Sequence, residues 1–354
     1  MSATRWPLRV AVVGLGSWGV EHARAWASIP GVELVALCER DESRLGDVAR
    51  DLAVAATYVS AEALAREADL DIVSIVTHED DRLAVTLPFL ERSVHALVEK
   101  PFAVTVEEAT KLRDAGVAHG VYVMPGHVLR FDARLVTLKA EVERGSLGEV
   151  RSVYARRLIP RGRHGKYSRT HPALSAAIHD YDLARWLFDA EPLTVTSHAL
   201  HRTQGSVPDI LWSTFEFPDE HLAVVENAWV IPDEAGVWLE AEIEVIGSEG
   251  IARVRLPGDL SLWLSSGHTL PDTTLVPFGL GSAMGALRDE VSYFATCVAR
   301  GTEPDRVTAD DGIEAVRLAL AAAESGARKT TVSLVRDSAA ASISRANSQG
   351  IKAI

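Results

Sequence analysis

The alternation of short apolar runs with amphipathic stretches over the first 124 or so residues limits this chain more than any other feature. The runs "LRVAVVG" (8–14), "VELVALC" (32–38), "DIVSIVT" (71–77) and "VHALVEK" (94–100) are rich in β-branched residues and read as buried strands. Amphipathic stretches at 17–29, 41–52, 60–67, 80–91 and 105–119 separate them and read as helices. Strands joined through helices pair in parallel by right-handed crossovers, with helices on both faces of the sheet. The expectation for residues 1–124 is an α/β unit with a doubly wound parallel sheet.

After "VYVMPGH" (121–127) the rhythm changes. One helix pattern covers 133–145, and strand-like stretches then dominate from 149 to about 265. Among them are "LWSTFEF" (211–217), "LAVVENAWV" (222–230) and "LEAEIEVIG" (239–247), at hairpin-like spacing. A single helix pattern at 172–188 interrupts them. Helices at 283–300 and 309–328 and a strand at 331–335 close the pattern. Residues 125–336 are therefore expected to form an α+β substrate and oligomerisation domain around a large, mostly antiparallel open sheet. The tail 337–354 is small, polar and unpatterned, which suits a flexible segment.

Composition narrows the class of partner. A formal charge of −13 argues against nucleic acid and anionic membranes. No apolar run approaches the roughly 20 residues that span a bilayer. "LRVAVVGLG" opens onto a glycine turn and not onto a cleavage site, so no signal peptide is read there. Cys38 and Cys297 lie far apart and fit a reducing compartment. A cytoplasmic protein is expected.

"GLGSWG" (14–19) sits between a predicted strand and a predicted helix. Gly14 permits the tight turn, Gly16 lets the backbone approach a pyrophosphate, and Gly19 lets the helix pack close to the strand. The helix start then offers free N–H groups to phosphates. The next strand ends at Glu39, where an acid binds the adenosine ribose hydroxyls. This is the Rossmann arrangement. An acid there repels a 2′-phosphate, so NAD(H) is the preferred cofactor; Arg40 follows immediately and leaves NADP(H) open as the second choice.

"VHALVEKP" ends an apolar strand with Glu99, Lys100 and Pro101. In open parallel sheets ligands bind beyond the carboxyl ends of the strands. That edge carries the glycine turn too, so the two charges are expected to face the cofactor crevice. Pro101 removes a donor and holds Lys100 extended, and the bond between them is a candidate for the cis form. On geometry alone a solvated strand end is as good a reading.

The segments "GLGSWGVEHARAW", "DIVSIVT", "LVEKPFAVTVEEA", "GHVLRFDARL", "GSLGEV" and "IHDYDLARWLF" together resemble the Gfo/Idh/MocA family of dehydrogenases, in that family's order over roughly residues 8–190. The resemblance implies an NAD(P)-dependent oxidoreductase acting on CH–OH groups of a sugar, a cyclitol such as inositol, or a nucleotide sugar. It implies that Lys100 is the catalytic lysine and His179 the acid–base residue. Asp182, three residues further along the same helix, would bind a substrate hydroxyl, and His127 would line the substrate pocket or be a buried structural histidine. The implied cofactor contacts are Gly14, Gly16, Ser17, Trp18 and Gly19 of the turn, Glu39 and Arg40, Thr77 and His78, and the run Glu99, Lys100 and Pro101. A homodimer or homotetramer through the C-terminal sheet is expected. Asp180 reads as a capping or surface carboxylate.

The chain departs from the family pattern at several points. Ser175 stands where many members carry an Asp one helical turn before the histidine, and a serine cannot stabilise an imidazolium as an anion does. His78 replaces a usual Pro, and Arg82 a usual His. "RRLIPRGRHGKYSR" (156–169) gathers basic residues without an acid. It reads either as a solvated loop or as a loop whose Arg161 and Arg163 grip an anionic substrate. His164, His171 and His179 match no established metal spacing, and no metal is expected. A non-catalytic cofactor-binding regulator of the same fold and a reductase of a non-sugar substrate remain as alternatives.

Overall fold

The computed structural model describes residues 6–164, 169–201, 207–256, 260–264, 267–279 and 281–335. The tail 337–354 and Lys166 of the basic run lie outside the described residues. Among the described residues no helix is long and apolar enough to cross a membrane.

The first sheet is built from β1 (Leu8–Val13), β2 (Val32–Cys38), β3 (Ala56–Tyr58), β4 (Ile72–Ile75), β5 (His95–Glu99) and β6 (Val123–Gly126). Its order is β3-β2-β1-β4-β5-β6, and every pairing is parallel. Helices α1 (Ser17–Ala27), α2 (Glu42–Asp51), α3 (Ala61–Glu67), α4 (Arg82–Leu90) and α5 (Val106–His119) make the crossovers. Buried Val10, Val12, Ile72, Ile75 and Leu97 fill the space between sheet and helices. Strand order reverses between β1 and β4, which opens the crevice where such folds bind ligands. β3 has no counterpart in the apolar pattern, because "ATY" is too short to show a period and is held only by pairing with β2. The sheet runs on through Gly126, past the division expected at 124.

The rest of the chain contributes α6 (Ala133–Glu143), β7 (Val150–Pro160), a π-helical turn (Ala173–Ala177), α7 (Ile178–Phe188), β8 (Thr194–Leu200), β9 (Ile210–Glu216), β10 (Leu222–Ile231), β11 (Glu240–Gly247) and β12 (Ile251–Leu256). The second sheet has the order β12-β11-β7-β10-β9-β8, with Val332–Ser333 paired outside β8. β7 and β10 are parallel and the remaining pairs antiparallel. Alternate residues of β7, β9 and β11 are buried, so one face carries helices and the other is open. The helix expected at 172–188 begins as the π-helical turn, and the basic run expected as a loop from 156 is strand β7 as far as Pro160.

Two late helices tie the sheets together. α8 (Ala286–Arg300) packs on α1, and α9 (Ala309–Arg328) lies between β8 and α7 on one side and α5 and β6 on the other. Gly312 allows that approach, since a Cβ there would stand 2.5 Å from Pro125 and 3.0 Å from Phe102. Thr308 and Asp311 form a capping box that starts α9 at this contact.

Candidate active site

The glycine turn has the geometry that a dinucleotide needs. Gly14 has φ +89°, and a Cβ on it would meet the Val76 carbonyl oxygen at 2.7 Å. A Cβ on Gly19 would stand 1.9 Å from the Gly14 carbonyl oxygen, while nothing lies within 4 Å of one on Gly16. The turn is closed on its protein side and open where a pyrophosphate would lie. Gly16 and Ser17 are exposed there, and α1 starts with neither a side-chain cap nor an acid in its first turn. Glu39 Oε2 accepts from the Leu15 N–H at 2.8 Å, which ties this acid to the turn itself. Arg40 is turned away to Asp81, at 3.1 Å. Thr77 and exposed His78 follow β4 on the same edge. These residues fit a dinucleotide of the NAD type.

Glu99 departs from expectation. It does not face the crevice but is 3% exposed. Its Oε1 accepts from Trp18 Nε1 at 2.8 Å and lies 3.2 Å from His22 Nε2; its Oε2 accepts from the Lys100 N–H at 2.9 Å. His22 Nδ1 in turn meets Ser74 Oγ at 2.9 Å. Trp18 and His22 are four residues apart on α1 and share the face that packs on the sheet. Burial alone would raise the Glu99 carboxyl, but the His22 hydrogen bond and the charges of His22, Lys100 and Arg82 hold it below its usual range. Glu99 and Trp18 therefore anchor α1 to the end of β5 through their own hydrogen bond. His22 and Ser74 belong to this cluster and were missed from sequence; the signal was a polar pair at helical spacing on a face otherwise buried.

Lys100 emerges from that anchor across a cis bond to Pro101. Its Nζ donates to the Ser175 carbonyl oxygen at 2.8 Å, so β5 of the first sheet touches the π-helical turn before α7. Burial lowers its pKa to about 8, against the opposing pull of Glu99. Arg82 is buried beside it and donates to the carbonyl oxygens of Pro101 and, at 3.2 Å, Thr77. Burial brings its pKa down to about 10. It thus bridges the ends of β4 and β5.

His179 lies one turn beyond Ser175. Burial first, and then the charges of Lys100 and Arg157, push it well below the usual histidine range, so it is neutral at pH 7. Ser175 Oγ and His179 Nδ1 are buried without a hydrogen-bond partner among the described residues. His127 is 1% exposed, and neither ring nitrogen is hydrogen-bonded, although Nδ1 stands 3.5 Å from Asp182 Oδ2. Asp182 is not available as expected. It is 2% exposed and accepts two hydrogen bonds from Arg130, at 2.6 and 2.9 Å. Asp180 is likewise neither a cap nor a surface group, but pairs in bidentate fashion with buried Arg157 at 2.8 and 2.9 Å. Of the basic run, Arg156 pairs with Glu240, and Arg169 with Glu79 at 2.9 Å. Arg161 and Arg163 are exposed, and the Arg163 guanidinium stands 6.0 Å over the Trp238 ring.

Sequence comparisons bear on this site. A family model described as an oxidoreductase family with an NAD-binding Rossmann fold (GFO_IDH_MocA) matches residues 8–127, and that family's C-terminal domain model matches 135–253. Inositol 2-dehydrogenase 1 of Saccharopolyspora erythraea is 29% identical over 81% of this chain and 82% of its own length. The NADP(+)-dependent D-xylose 1-dehydrogenase of Haloarcula marismortui is 27% identical over 86% of this chain and 87% of its own. The crystal structure of scyllo-inositol dehydrogenase from Lactobacillus casei with NAD(H) and scyllo-inositol superposes with a TM-score of 0.78 at 21% identity, covering 92% of this chain and 98% of that one. That similarity establishes a common fold.

Proposed function

Because the chain belongs to the Gfo/Idh/MocA family of oxidoreductases, we propose that it exchanges a hydride between a nicotinamide cofactor and a secondary alcohol or ketone of a sugar, a cyclitol or a nucleotide sugar. One observation carries the reading: the Lys100 ammonium and the neutral His179 ring come together at Ser175, on the sheet edge that bears the glycine turn. Bound NAD+ would supply the hydride acceptor. Lys100 would hold the substrate oxygen and stabilise the negative charge growing on it. A ring nitrogen of His179 would take the hydroxyl proton, a task for which a neutral imidazole is suited. The alcohol then loses one hydride and one proton and leaves as the carbonyl; reduction returns the proton from His179.

Glu39 favours NAD(H), and Arg40 pairs with Asp81 at 3.1 Å. In this reading residues up to about 124 hold the cofactor, and residues 125–336 hold the substrate. The open face of the second sheet carries Trp212, Leu200, Ile246 and Ile251, each at least 37% exposed. A second copy covering that face would make the homodimer or homotetramer, which light scattering would measure. The two free, buried cysteines suit a cytoplasmic setting. The decisive test is a screen of polyols, inositols and sugar nucleotides that follows NADH absorbance. Tight NADH binding with no turnover of any member would favour a cofactor-binding regulator instead.

A further inference from the structure

The groups around Lys100 are unbalanced in one direction. Ser175 Oγ, His179 Nδ1 and both nitrogens of His127 are buried without hydrogen-bond partners among the described residues, His127 Nδ1 standing 3.5 Å from Asp182 Oδ2. Leaving a buried polar group unpaired is costly, so these atoms are placed for a ligand. The Lys100 ammonium adds a positive charge to the same space, next to the Ser175 carbonyl.

Four of the neighbouring carboxylates, by contrast, are engaged. Glu99 takes Trp18, His22 and the Lys100 N–H. Glu79 takes Arg169 and Thr170. Asp180 and Asp182 each take a bidentate arginine. The fifth, Glu290 on α8, is fully buried with neither oxygen hydrogen-bonded among the described residues, and burial, reinforced by Glu99, pushes its carboxyl well above the usual range, toward the uncharged form. A neutral polyol brings a donor with every hydroxyl and is best met by carboxylates. A carboxylate brings acceptors only and is best met by an ammonium and a hydroxyl.

We infer that the substrate is a polyhydroxy acid, an aldonate or uronate whose carboxylate is held by Ser175 Oγ and the Lys100 ammonium beside the carbon that is oxidised. This rests on the dehydrogenase reading above. Ser175 is the specificity-determining residue. A carboxylate side chain in its place would repel the acid and offer an acceptor to a neutral polyol.

The test compares D-gluconate and D-glucuronate with myo-inositol, D-glucose and glucose phosphate, using NAD+ and the full chain. The acids should show kcat/KM about tenfold or more above the neutral compounds, the scale of one charged hydrogen bond. Ser175→Asp should lower kcat/KM for the acids by at least about tenfold while sparing or raising that for the neutral compounds. Ser175→Ala should weaken calorimetric binding of gluconate to the enzyme–NADH complex without altering NADH affinity, and it keeps the test alive if the aspartate variant does not fold. Preference for neutral polyols, or for the sugar phosphate, would overturn the inference while leaving the dehydrogenase reading standing. Binding of NADH with no oxidation of any compound would overturn both.

Discussion

Lys100 places its ammonium 2.8 Å from the main-chain oxygen of Ser175, and so reaches from the last residue after β5 to the turn that begins α7. A carbonyl oxygen holds the ammonium in position without neutralising it. The charge stays available to a substrate oxygen, and burial keeps its pKa at about 8.

Lys100→Met keeps the stem and removes that charge. It should lower kcat by roughly two orders of magnitude or more, the scale of a deleted electrostatic stabiliser. NADH affinity by direct titration should change far less, because the glycine turn and Glu39 carry the cofactor. An enzyme of undiminished kcat would remove Lys100 from the reaction.

Acid should destabilise the fold through its buried histidines. Burial lowers His171 to about 4, and lowers His127 and His179 too. Between the ordinary value near 6.5 and these lower values the unfolded chain binds protons that the native state refuses. The stability they contribute is complete above about pH 6.5 and is lost as pH falls toward 4. Denaturant titrations from pH 7.5 to 4.5 should show a decline that His171→Phe reduces; a flat series would mean that these rings are hydrated in solution.

Two glycines of one turn should answer alanine differently. Gly19→Ala puts a Cβ where the Gly14 carbonyl oxygen stands, so the turn must move and both melting temperature and NADH binding should fall. Gly16→Ala meets nothing within 4 Å and should fold normally while binding NADH more weakly, because the methyl group occupies pyrophosphate space. Equal melting losses in the two variants would contradict this geometry.

Asp182 should behave as a structural group. Asp182→Ala removes the shorter of the two carboxylate pairs of buried Arg130, leaving Asp311 at 3.3 Å and the Arg306 carbonyl, and should cost about 1.5–3 kcal/mol of stability, the scale of a hydrogen bond to a charged group. Chemical denaturation measures it. Full stability with a raised KM would return Asp182 to the substrate.

The alternation of strand and helix, the three glycine roles, Glu39 at the end of β2 and Lys100 at the end of β5 were legible because each depends on local periodicity or on the edge where a strand must stop. Parallel pairing and a crevice at the strand ends follow from the same pattern. β3 escaped because three residues show no period, and the π-helical turn because its residues read as ordinary helix.

The sequence by itself determined which chemical groups arrive at the crevice, and only the tertiary structure decided which of them are free to act there. Glu99, Asp180 and Asp182 look alike along the chain, as acids within three residues of a lysine or a histidine. Trp18 and His22 claim the first, Arg157 the second and Arg130 the third, each from a distant element. A buried charge must find a partner wherever the fold brings one. That choice has no sequence period, so these three carboxylates are engaged, and Ser175 Oγ, His179 Nδ1 and the His127 ring nitrogens lack a hydrogen-bond partner among the described residues, for reasons that exist only once the two sheets are packed together.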